Sequence, residues 1–321
     1  MGWEAASHVR PSDTMLRAIA IAALAASAAA FVPSALGARR RTVLLRATAS
    51  EAYEAVAASQ AETIASIRSA VPDLEDKPDA SWTGAVAGAT AAIDAFDGPG
   101  PSNVAWMSAL RVEGKLASLT AINGPLSDVP HLSSRCVIGD DGMSLFLDWR
   151  AREYGAYEMV QEDGSYPGPD KLGRDAFTYG SARKNMEEKF YTAELAATMA
   201  ATRAALEGGT DGAPVNDEDA KTRGPLALDV RGIPITDANV AIVVGAMATA
   251  AEAWLGWQQD ETHVHPAGAR VNGQYVFDTP AKQNMYGALL ETYRGLYGDD
   301  GVAMAAADSG PLDEGYVGGG S

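Results

Sequence analysis

VPHLSSRCVIGDDGMSLFLDWRAR, Val129 to Arg152, holds two runs of alternating character joined by Gly139-Asp140-Asp141-Gly142. A short Gly/Asp turn between alternating runs predicts a β-hairpin. With the turn so placed, Ile138 faces Met143, Cys136 faces Leu145, Ser134 faces Leu147 and Leu132 faces Trp149. Side chains alternate along a strand, so these residues share one apolar face that packs on helices. The other face carries Val137 with Ser144, Arg135 with Phe146, Ser133 with Asp148, and His131 with Arg150. A one-residue slip would invert the assignment. Such a polar face is either solvated or the floor of a pocket. Helices further along the chain need a surface to cover, and this face is available.

Around the hairpin, VAWMSALRV and LASLTAIN flank Glu113-Gly114-Lys115 and read as a second tight hairpin, with Asn123-Gly124-Pro125 turning the chain between the two. Four consecutive strands predict an antiparallel meander. Upstream, Ser50-Glu51 opens a helix that Pro72 stops, and Ser81 begins an Ala-rich second helix, SWTGAVAGATAAIDAF, broken by DGPGPSN. Downstream, residues 180–207 are helical, residues 207–224 form a polar surface loop, and PLALDVRGI is one more strand. Thr236-Asp237 caps a helix that is apolar nearly all round and is expected to be buried. A last helix starts at Thr279-Pro280 and ends before Gly298. The predicted fold is an α/β/α sandwich with a central antiparallel sheet flanked by helices, one domain over residues 51–305, followed by a flexible tail, 306–321.

The first fifty residues read as an address. Arg17 precedes the short apolar run Ala18 to Ala30, with small residues before Phe31, which is signal-peptide chemistry. Phe31 to Ser50 then carries Arg39, Arg40, Arg41 and Arg46 with hydroxyl residues and no acid, as transit peptides do. A signal peptide to about residue 30 followed by a transit-like stretch resembles the bipartite presequences of algae with complex plastids, and predicts the chloroplast stroma. The alternative is secretion with a basic pro-segment.

The chain has 321 residues, 47% hydrophobic and 21% charged, with a formal charge of -17. Without residues 1–50, 19 basic residues stand against 40 acidic ones, a net of -21. Nucleic acid is excluded as a partner, because neutralising phosphates needs a basic face. One cysteine, Cys136, allows no intrachain disulfide and no multi-cysteine zinc site. His263 and His265, two apart, read as a solvated loop, so no metal site is expected. No stretch beyond residue 50 reads as long and apolar enough for a membrane helix.

Four strings carry a resemblance. LTAINGPLSDVPHLSSRCVIGDDGMSLFLDWRARE, PLALDVRGIP, AAEAWLGW and LLETYRGLYG resemble, in this order, segments of the red chlorophyll catabolite reductases, within the superfamily of ferredoxin-dependent bilin reductases. The similarity spans about Val104 to Gly298. In the first segment the family's Pro-His pair and strand-closing Asp before a basic residue correspond to Pro130, His131, Asp148 and Arg150. The Trp-Leu pair of its apolar helix corresponds to Trp254-Leu255. The resemblance implies an open-chain (linear) tetrapyrrole bound between the sheet and the C-terminal helices. It also implies no bound flavin or metal, single electrons from ferredoxin, and protons from acidic groups in the pocket.

On that reading His131 and Asp148 protonate or contact the pigment, Arg135 and Arg150 hold its carboxylates, and Phe146 and Asn284 complete the contacts. The chain departs from the family where an acid is expected four residues after the His. Arg135 stands there, and arginine cannot give up its proton. Gly256 replaces the family's Asp after Trp-Leu. A second acid near the last helix is not clearly matched, with Asp278, Asn284 and Glu291 nearby. An Asp148 paired with Arg150 would have a lowered pKa and be a poor acid. The alternative reading is a non-catalytic relative that binds a tetrapyrrole or serves a photosystem as an accessory. A surface for acidic ferredoxin would need basic residues, for which Lys171, Arg174, Arg183, Lys184 and Lys189 are available.

Overall fold

The structure, a computed structural model, describes residues 47–100, 102–124, 126–150, 152, 187–260, 263 and 270–310. The expected presequence lies almost wholly outside these residues, as do Lys171, Arg174, Arg183, Lys184 and His265.

Thr48 opens α1, Ala49–Ala70, with a reciprocal capping box: its hydroxyl accepts from Glu51 N, and the Glu51 carboxylate accepts from Thr48 N. The strands that follow are β1 (Glu75–Asp76), β2 (Trp82–Val86), β3 (Ala89–Gly98), β4 (Val104–Val112), β5 (Leu116–Asn123), β6 (His131–Gly139) and β7 (Gly142–Arg150). Then come α2 (Ala193–Ala205), β8 (Thr210–Asp211), α3 (Asp217–Thr222), β9 (Leu228–Ile233), α4 (Asp237–Gln258), α5 (Arg270–Tyr297) and α6 (Asp300–Ser309). One antiparallel sheet runs in the order β1-β3-β4-β5-β6-β7-β9-β8, with β2 also paired to β3.

The Ala-rich segment from Ser81 is a correction. It forms the β2–β3 hairpin, with Val86 opposite Ala89. Ala87 and Gly88 make its two-residue turn, both at positive φ, 47° and 78°. Helix propensity favoured alanine, but Ala91, Ile93 and Ala95 alternate inward under the far helices, and burial decided the state. Alanine is strained in the left-handed region that this turn imposes, whereas Asn is at ease there. Ala87→Asn is therefore expected to stabilise the fold by about 1 kcal/mol. A urea midpoint that does not rise would contradict this account of the turn.

The β6–β7 register matches the sequence reading pair for pair, from Gly139 opposite Gly142 to His131 opposite Arg150. At Gly142 (φ 144°) a Cβ would stand 2.7 Å from the Ile233 carbonyl oxygen, so the neighbouring β9 requires glycine there. The apolar face of the hairpin joins β4, β5 and β9 beneath α1, α2 and α4, with Trp149, Trp254, Val243 and Ala250 fully inside. Trp149 Nε1 donates to the Ala250 carbonyl at 3.0 Å, tying β7 to α4. Each large side chain so buried contributes about 1.5–3 kcal/mol.

The helix expected to be buried all round is thus only half buried. α4 packs one face on the apolar side of the sheet, and Ala238, Ala241, Gly245 and Glu252 stay exposed. It is also, by length and composition, long and apolar enough to cross a membrane, which corrects the expectation that no later stretch is. The opposite face of the sheet is covered by α5 and α6. Met285, Leu289, Tyr293, Tyr297 and Met304 pack on Ala91, Ile93, Trp106, Leu110, Leu116 and Ile122 of β3, β4 and β5. The architecture is an antiparallel sheet between helical layers.

α5 begins nine residues before the Thr279-Pro280 signal and ends before Gly298 as expected. α6 was not anticipated. The tail expected from residue 306 begins inside it, and Asp308 there is fully buried. Its carboxylate accepts hydroxyl hydrogen bonds from Ser108, Ser118 and Tyr293 at 2.8, 3.0 and 2.5 Å, which pin α6 to the sheet.

Candidate functional site

α5 and α6 pack tightly over the β3–β5 half of their face because that half is apolar. Over β6, β7 and β9 the same face is polar, and a cavity of about 420 Å³ remains between sheet and helix. Its floor is Ser133, Arg135, Val137, Ser144, Phe146 and Arg150. Asp229 and Arg231 of β9 continue it, α3 supplies one wall through Asp219, and α5 forms the roof with Met285, Leu289 and Glu291. Leu296, 43% exposed, and Arg231 stand at its mouth. The polar face of the hairpin is therefore a pocket floor.

Within the cavity most charges are satisfied internally. Arg150 Nη2 donates to Asp219 Oδ1 at 3.0 Å and Nη1 to Thr222 Oγ1 at 2.6 Å. Arg223, just after α3, donates to Asp219 at 2.8 Å and to Asp229 at 3.0 Å. Arg231 reaches Asp229 at 3.1 Å. Burial opposes ionisation of Asp219, but the hydrogen bonds and charges of Arg223 and Arg150 outweigh it and hold its pKa low.

Arg135 differs. Its guanidinium lies 5.0 Å from the Phe146 ring centroid and 5.7 Å from that of Tyr293. Among the described residues no carboxylate is hydrogen-bonded to it. Arg223 also stands 5.0 Å from the Phe146 ring. Rings hold guanidinium planes by cation–π attraction while leaving the N–H fork available. This is the geometry of a carboxylate receptor beside an aromatic surface.

Asp148 is completely buried beside this group. Oδ1 accepts from Gly224 N at 2.9 Å. Arg150 Nε is 3.5 Å from Oδ2, and neither atom has a hydrogen-bond partner. Burial dominates and pushes the Asp148 pKa up to about 6, with Arg150 and the Gly224 N–H opposing. Arg150 stands within ion-pair range of Asp148 as expected, but the expected lowering of the Asp148 pKa is overturned. The Arg150 fork is directed at α3, and desolvation of the carboxylate wins.

His131 lies on the same face, buried, outside the cavity lining. Nδ1 accepts from Asn123 N at 3.1 Å, so a neutral ring carries its proton on Nε2, 4.0 Å from Asp278 Oδ1. Burial, then the charges of Arg152, Lys282 and Arg150, hold its pKa well below the ordinary value. The ring is neutral at physiological pH, and its Nε2–H has no hydrogen-bond partner among the described residues. Asp278 of α5, buried beside it, is clamped by Arg152, whose Nε donates to Oδ1 at 3.1 Å and whose Nη2 bonds Oδ2.

Of the predicted site residues, Arg135, Phe146 and Arg150 line the cavity, Asp148 and His131 are buried on the same face, and Asn284 sits on α5 outside the lining. Trp254 faces the opposite core. Glu291 lines the cavity, whereas Asp278 joins His131. Lys189, from the basic patch, is paired with Asp128, and His263, expected in a solvated loop, is instead buried with Nδ1 2.9 Å from Asp128.

No protein-family model matches the chain, and no curated protein does. Among solved structures, it is similar to the crystal structure of SeMet-phytochromobilin synthase from tomato in complex with biliverdin. The TM-score is 0.49 at 13% identity, covering 77% of this chain and 79% of that chain.

Sequence reasoning missed α3 and its contribution of Asp219 and Arg223. A signal was present: Asn216 followed three residues later by an acid is an N-cap pattern, and Asn216 Oδ1 does accept from Asp219 N at 2.8 Å.

Proposed function

We propose that this cavity binds an open-chain tetrapyrrole and that the protein is a ferredoxin-dependent reductase of such a pigment, akin to red chlorophyll catabolite reductase and acting in the plastid stroma. The observation that carries the proposal is the Arg135 guanidinium. It is held over Phe146 and Tyr293 without a carboxylate partner among the described residues, in a cavity next to a buried carboxyl whose pKa is pushed up to about 6. The resemblance of the hairpin and the later strings names the pigment class.

Reducing one double bond takes two electrons and two protons. Ferredoxin would supply the electrons one at a time. The chain's part is to orient and to protonate. Arg135 takes a propionate through paired N–H bonds, and Phe146 offers the conjugated system an apolar surface. Asp148, with a pKa close to physiological pH, holds a proton that it can release to the pigment. Arginine at position 135, where the resembling family has an acid, also favours a second reading, in which the pigment is bound and not reduced.

Full-length protein titrated with biliverdin or a chlorophyll catabolite should perturb the pigment's absorbance. Arg135→Leu should weaken that binding by roughly 10–100-fold, the worth of a charge-assisted hydrogen bond, and change binding of the biliverdin dimethyl ester little. Absence of any tetrapyrrole binding sinks both readings. Binding without turnover under reduced ferredoxin leaves only the second.

A further inference from the structure

Asp219 has no counterpart in the motifs that point to this site, yet it receives the two guanidiniums nearest Asp148. Arg150 spends Nη1 and Nη2 on Thr222 and Asp219, and Arg223 gives Nε to Asp219. Asp219 is itself 1% exposed. What remains for Asp148 is one backbone N–H, from Gly224, and an Arg150 Nε that stands 3.5 Å away without a hydrogen bond. A carboxyl with no side-chain hydrogen bond therefore lies beside buried Arg150 and half-buried Arg223 because a second carboxylate holds their forks.

We propose that Asp219 is a positioning residue: by drawing the forks of Arg150 and Arg223 onto its own carboxylate, it leaves Asp148 without a hydrogen-bonded guanidinium and lets that carboxyl carry a proton. The consequence for catalysis rests on the reading of Asp148 as proton donor, whereas the titration does not.

The groups around Asp148 come from four elements besides its own strand. On β7 the charged neighbour is Arg150. The α3 wall brings Asp219, Arg223 and the Gly224 N–H. β6 sets Ser133 directly opposite, flanked two residues away by His131 and Arg135. α5 packs Met285 on the Ser133 hydroxyl and carries Lys282 and Asp278 toward His131. His131 is neutral, and Asp278 is engaged by Arg152. β9 adds Asp229, which shares Arg223 with Asp219, so the balance at Asp148 turns on Arg150, Arg223 and Asp219. Asp219 acts on it twice with one sign: it diverts both guanidiniums, and its own negative charge opposes a second one nearby.

The test reads the infrared carbonyl band of protonated Asp148 in the ligand-free, full-length protein, identified by its loss in Asp148→Asn. In Asp219→Asn, which preserves side-chain shape, the midpoint is expected to move acidward by about one to three pH units as the freed Arg150 fork turns to Asp148, Arg223 being still held by Asp229. Asp219→Glu should restore the parent midpoint. Thr222→Val releases Arg150 Nη1 without removing a carboxylate, so it should move the midpoint the same way by less. This second variant also covers the case in which Asp219→Asn does not fold.

A midpoint that stays in place or rises in the folded variants overturns the proposal. The two readings fail separately. A protein that reduces no pigment but shows the acidward shift keeps the role of Asp219 and loses the proposed reaction. One that reduces pigment with an unmoved midpoint keeps the reaction and loses the role of Asp219.

Discussion

Asp148→Asn is expected to slow reduction of a bound tetrapyrrole by about 10²–10⁴-fold, the usual worth of a positioned general acid, and to make the fold more stable above neutral pH. The two effects share one cause. Burial raises the Asp148 pKa from 3.8 to about 6. Between these values the folded protein holds a proton that the unfolded chain has released, so the native state binds more protons than the unfolded one. Stability then falls as pH rises across that window, and the whole cost is present above about pH 6. Asparagine keeps an acceptor for the Gly224 N–H and cannot ionise. The variant should exceed the parent by up to about 3 kcal/mol at pH 8, and the gap should close toward pH 4. Urea midpoints at the two pH values measure the stability effect, and single-turnover absorbance with reduced ferredoxin measures the rate. A variant that is less stable than the parent at pH 8 would show that Asp148 is an ionised structural partner.

Arg152→Leu should have the largest effect on folding. Arg152 is 2% exposed and bonds Asp278 of α5 through Nε and Nη2. It also bonds the Ser127 and Gly124 carbonyls of the β5–β6 connection. Removing one member of a buried ion pair typically costs about 3–5 kcal/mol. The loss should depend on pH, with a sign set by His131. Arg152 is, after burial, the strongest influence holding the His131 pKa down, and Asp278 lies 4.0 Å from Nε2. Without the guanidinium the imidazole can be protonated and take over as partner of Asp278. Arg152→Leu should therefore be less destabilised at pH 5.5 than at pH 8. Equal losses at the two pH values would remove His131 from this cluster.

Local pattern was enough to read the hairpin at the centre of the sheet. Alternation with a period of two, and a Gly-Asp-Asp-Gly turn, leave one register that buries Leu132, Cys136, Leu145 and Trp149 together, and that register is the one formed. The same pattern named Arg135, Phe146 and Arg150 as neighbours on one face. Ala-rich stretches were less legible. SWTGAVAGATAAIDAF is helical by propensity and β by burial, because the far face of the sheet required Ala91, Ile93 and Ala95 at alternate positions.

Tertiary structure decided which helices cover which face. α4 is apolar enough to suit either side; it took the face that is apolar through the hairpin around Trp149, and the face that is apolar over β3–β5 but polar over β6, β7 and β9 went to α5 and α6 and kept a cavity where they stand away from it. It also decided the state of Asp148. In sequence, Asp148 and Arg150 lie two apart on one strand face and read as an ion pair. In the fold, α3 arrives from more than sixty residues away with Asp219, takes the guanidinium, and leaves a buried carboxyl whose pKa desolvation sets. Strand periodicity is local and shows in the sequence. The partner of a charge depends on what else the chain brings within 4 Å, which only the packed structure determines.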